Sequence, residues 1–128
     1  MVTKTIYIED LHFEHETWRK ELLFWKDELR SFNNRLNQLA NRCTNRRILL
    51  ELEEFQNRFA VHNNAIDEFV EWIKTQEVSL SERLVSNNES LDSILLNMHN
   101  AFREKMDAER KLYQNLKKRF FRSLGKYM

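Results

Sequence analysis

A chain of 128 residues with no proline, one glycine and one cysteine is about the size of one domain, and it lacks the devices that sheets and tight turns need. Charged residues make up 32% and nearly cancel at net +1, while 41% are apolar, which argues against disorder driven by self-repulsion. The start, MVTKTIYIEDL, has no positively charged segment followed by an apolar run, and no stretch approaches the roughly eighteen apolar residues of a membrane span. A globular, all-α, cytoplasmic protein with a single domain over 1–128 is therefore expected.

Apolar positions recur in alternating fours and threes, the spacing of a heptad seam. Leu11, His15, Trp18, Leu22, Trp25, Leu29, Phe32, Leu36 and Leu39 form one such run. Ile48, Leu52, Phe55, Phe59, His62, Ile66, Phe69 and Ile73 form a second, and Leu95, His99, Phe102, Met106, Glu109, Tyr113, Leu116 and Phe120 a third. The spacing predicts long helices over about 10–42, 46–80 and 88–124. Short links between them force antiparallel neighbours, so the expected architecture is an up-down-up three-helix bundle with coiled-coil-like helices.

The breaks carry their own signals. In NRCTNRR, Thr44 or Asn45 can cap the second helix by accepting from its unpaired N–H groups. In SLSERLVSNNES, Ser79 before Glu82 and Ser86 before Glu89 have the spacing of capping boxes. Gly125 is a natural C-terminal cap. Cys43 lies in the first connection, without a partner for an internal disulfide and alone as a thiolate ligand.

Antiparallel register brings His15 level with His99 to within about 5 Å along the axis, with His12 close by, and sets His62 near Glu109, with Glu28 flanking. Two polar layers in an apolar core follow. One reading is a metal site for zinc or iron, built from His12, His15 and His99, or from Glu28, His62 and Glu109, since imidazole and carboxylate donors on facing helices can converge. The other is structural: a buried neutral imidazole satisfied by a carboxylate, fixing register as a buried asparagine does in coiled coils. Only Glu9-x-x-His12 has the Glu-x-x-His spacing of di-iron bundles, which use two such pairs, and no His-Glu-x-x-His occurs. The structural reading is preferred and no resident cofactor is expected. No nucleophile, base and orienter can be assembled, nor a phosphate-cradling loop, so the chain reads as a non-enzyme.

Charge is uneven along the axis. Residues 1–18 and 66–95 hold 11 acidic and 3 basic groups, and the remainder 9 acidic and 18 basic, so the ends carry about −8 and +9. From Arg110 onward there are seven basic residues and no acid. Lys117, Lys118, Arg119 and Arg122, interleaved with aromatics, form a candidate surface for nucleic acid or acidic lipid, although near-neutral overall charge argues against a dedicated nucleic-acid binder. Phe13, Leu23, Phe24 and Trp72 lie off the seams and form a candidate contact surface. They suggest an interaction or assembly protein that binds a partner helix or pairs as a homodimer, its opposite end charges favouring antiparallel or head-to-tail alignment.

The stretch from LHFEHETW through ELLFWKDELRSFNNRL, about the first third of the chain, resembles a family of small bacterial helical-bundle proteins. That resemblance implies a bacterial cytoplasmic setting and carries no activity.

Overall fold

In the computed structural model, which describes residues 8–85 and 93–127 apart from the side chain of Leu84, the chain is an all-α three-helix bundle. The helices are α1 (Ile8–Arg42), α2 (Arg46–Val85) and α3 (Ser93–Tyr127). Asn45 caps α2: its side-chain oxygen accepts from the backbone N–H of Arg47 at 2.9 Å and of Ile48 at 3.3 Å, the second and third helical donors left without intrahelical acceptors.

Two expected boundaries move. Ser79 does not start a helix, because α2 runs through it to Val85. Leu80 is buried against Ile8 and Leu11, so the apolar seam continues past residue 73 and packing overrides the local capping signal. Gly125 does not end α3, which continues to Tyr127, where the ring packs against the core. The capping box at Ser86 and Glu89 lies outside the described residues.

The seams are the core. Every α1 seam position is buried except Phe32 and Leu39, which are half-buried and pack on the same cluster. Pairing His12 with Glu77 and Lys26 with Asp67 runs α2 antiparallel to α1. Large rings separate the helices. Phe59 touches Phe32, Phe55 and Phe120 at ring-centre distances of 5.8, 6.2 and 5.0 Å, while Trp72 lies flat on Phe102 at 3.9 Å. The α1 and α2 backbones approach closely, and the rings hold α3 further off.

The flank between α1 and α3 carries a ladder of ion pairs with the same period as the seams. Glu14 accepts from Arg103, Glu21 from Arg110 and Glu28 from Lys117, each pair 89 residues apart in sequence. A constant offset means that α1 and α3 are parallel, which completes the up-down-up course. The Glu21–Arg110 pair is bidentate, at 2.7 and 2.6 Å, and Glu21 raises the Arg110 pKa.

Truncating Phe59, which is fully enclosed, should cost about 3–5 kcal/mol in urea unfolding. A double-mutant cycle on Glu21→Gln and Arg110→Gln should return a coupling of about 1 kcal/mol that shrinks as salt is added, the size of a well-formed pair near the surface.

Candidate functional site

The acidic end of the bundle gathers three of the four histidines. His12 and His15 sit a turn apart on α1, and Glu77 faces them from α2. His12 Nδ1 lies 2.8 Å from Glu77 Oε1 and 2.9 Å from Oε2, and His15 Nδ1 lies 3.2 Å from Oε1. One carboxylate thus receives two imidazoles. His12 is exposed and His15 buried, and their acidities diverge accordingly. The hydrogen bond to Glu77 raises the His12 pKa, whereas burial lowers that of His15 against the pull of Glu77.

His99 belongs to the same layer but to another carboxylate. Its ring centre is 5.1 Å from that of His15 and it stacks on Trp18 at 4.9 Å, yet its Nε2 lies 2.6 Å from Glu14 Oε1. Glu14 also accepts from Arg103 at 2.8 and 2.6 Å; that guanidinium, first, and His99 hold its carboxyl below the usual carboxylate range. The expected set His12, His15 and His99 is therefore divided between two acids. Among the described residues, the group of His, Cys, Asp or Glu side chains able to share a cation is His12, Glu16 and Glu77, with donor atoms within 4.8 Å of one another.

The second polar layer pairs His62 Nδ1 with Glu109 Oε1 at 2.5 Å. The imidazole lies flat on Tyr113 at 4.5 Å and beside Trp25 at 5.5 Å. Burial lowers the His62 pKa against the attraction of Glu109. Glu28, expected to join this pair, instead accepts from the Tyr113 hydroxyl at 3.0 Å and from Lys117 at 2.9 Å. It is one rung of the α1–α3 ladder, so Glu28, His62 and Glu109 do not form a three-ligand group.

His62 and Glu109 line the floor of a groove of about 800 Å³ between α2 and α3, with Val61 and Leu112 on its walls. Lys118, Arg119 and Arg122 line it toward the basic end, whereas Lys117 turns to Glu28 on the other flank. Of the expected contact residues, Phe13 is 75% exposed and Phe24 61%, and Leu23 is also exposed. Trp72 is half-buried and packs on Phe102; its place one residue from Ile73 on the seam lets the broad indole reach inward.

The sequence shows Glu14 and Glu16 beside His12 and His15 but assigns no role to them, nor to Glu77 or Arg103. Glu14, Glu21 and Glu28 recur every seventh residue, as do Arg103, Arg110 and Lys117, a signal in plain view. Glu77 has no such signature, because its role depends on register to within half a turn. No family model, curated protein or solved structure matches this chain.

Since burial holds His62 neutral, the folded form binds a proton less readily than the unfolded one. Stability contributed by this group is present above the ordinary histidine pKa of about 6.5 and falls as pH drops below it toward the lower folded-state pKa. Urea unfolding at stepwise lower pH should show this decline. His62→Gln, which keeps a donor for Glu109 but does not titrate, should make the decline shallower, leaving the share that buried His15 contributes in the same direction.

Proposed function

We propose that the chain is a non-enzymatic assembly protein that pairs with a second copy of itself, antiparallel, through the outer face of α3 and the adjoining groove. The observation that carries this reading is a second apolar stripe on α3. Ile94, Met98, Ala101, Lys105, Ala108 and Leu112 follow one another at intervals of four and three, and all are exposed. Met98 is 41% and Leu112 63% exposed. A seam repeats in this way when it has a helix to meet. On α2, Val61 flanks the same groove as Leu112.

Antiparallel pairing centred on Lys105 sets Met98 against Leu112 of the second copy and brings Ala101 to within one residue of Ala108. The alanines permit close backbone approach, and the long Lys105 stems carry their ammonium groups outward to water. The charge pattern favours the same alignment, because the acidic end of each copy then lies toward the basic tail of the other. Lys118, Arg119 and Arg122 flank the groove at the basic end.

Phe13 and Phe24, three turns apart on the outer side of α1, support a competing contact face, and sedimentation equilibrium separates the two. The expected mass is twice the 15.7 kDa chain, with pairing weakened by salt. The double variant Met98→Glu, Leu112→Glu should weaken pairing more than about tenfold, or about 1.4 kcal/mol, with helicity unchanged. Phe13→Ala, Phe24→Ala should leave it intact. A monomer at every concentration, or the reverse ranking of the two variants, refutes the α3 assignment.

A further inference from the structure

We infer that His12, Glu16 and Glu77, with His15 behind them, bind one divalent cation of the zinc class at the acidic end of the bundle. His12 and Glu16 stand one turn apart on α1 and present their donors on the same face, while Glu77 comes from α2. Their donor atoms already lie within 4.8 Å of one another. Around a zinc ion, donors about 2.0–2.1 Å from the metal in a tetrahedron are about 3.3 Å apart, so gathering the three requires side-chain rotation without movement of either helix.

The buried side of the site is closed by His15, whose Nδ1 lies 3.2 Å from Glu77 Oε1. This ring is enclosed between Trp18, Trp72 and His99, and it faces the site through Nδ1, the nitrogen turned to Glu77. Glu77 now serves two imidazoles with both oxygens facing His12. A cation would take the place of the proton between His12 and Glu77, leaving Glu77 and His15 as donors on the buried side.

Two imidazoles and two carboxylates suit zinc and neighbouring transition metals better than magnesium or calcium, which favour oxygen alone. The partition of the layer keeps the site separate from its neighbours. Arg103 and His99 occupy Glu14, so that carboxylate is already neutralised and His99 is directed away from Glu77.

The test is calorimetric titration of zinc sulfate into the full, untagged, chelator-treated chain, with cobalt(II) absorption as a second readout of four-coordinate geometry. The expected result is one equivalent per chain, weakened about tenfold or more by each of His12→Asn, Glu16→Gln and Glu77→Gln, and unchanged by His62→Gln. Circular dichroism should give equal helicity in all of them. Absence of saturable uptake, half an equivalent per chain, or loss on His62→Gln with retention on His12→Asn would overturn the assignment. The inference does not rest on pairing through α3, and repeating the titration with the Met98→Glu, Leu112→Glu variant keeps the two claims separate.

Discussion

Large side chains returning every seven residues are the constraint on which the rest of this bundle depends. They fix the rotation of each helix about its axis, and that rotation decides what the flanking positions meet. Glu14, Glu21 and Glu28 lie beside the α1 seam, and Arg103, Arg110 and Lys117 beside the α3 seam, so the three ion pairs inherit the period of the core. Exposed pairs of this kind add modestly to stability. They discriminate between registers, because a slip of one turn removes every cation from its carboxylate at once.

The size of the rings has a second consequence. With Phe55, Phe59 and Phe120 at one level, His62 on Tyr113 at another, and Trp72 on Phe102 at a third, α2 and α3 stand apart, and the interval between them opens outward as the groove. The same packing that fills the interior thus leaves Val61 and Leu112 on the walls of a concave surface. Filling the core with aromatics and offering a lateral face for assembly are two results of one choice of residues.

Most of the architecture was legible in the sequence because it rests on periodicity, which survives errors of a residue or two at helix ends. The three seams, the nearness of His15 to His99 and the pairing of His62 with Glu109 follow from register alone. What escaped depends on finer geometry. Glu28 was set beside His62, but the Tyr113 hydroxyl and Lys117 lie closer to it along the parallel α1–α3 flank. Ser79 and Gly125 have residue types that favour helix ends, yet Leu80 is buried and Tyr127 packs half-buried on the core beyond them, and both extend the helices. Local propensity amounts to about 1 kcal/mol at such positions, whereas burying a large side chain contributes about 1.5–3 kcal/mol, so packing prevails.

The two polar layers differ in how many groups gather on one carboxylate. His62 and Glu109 form a simple pair, one donor to one acceptor, with Tyr113 and Trp25 beside the imidazole. Such a pair can orient α2 against α3 and needs nothing further at Nδ1. At the acidic end, Glu77 serves two rings while Glu16 stands within reach of the same point, in a half of the molecule already rich in negative charge. A second carboxylate drawn toward that point raises electrostatic repulsion unless positive charge accompanies it. A register device would be complete with His15 and Glu77 alone. The additional presence of His12 and Glu16, one turn apart and facing the same carboxylate, is what distinguishes this layer from a simple buried pair.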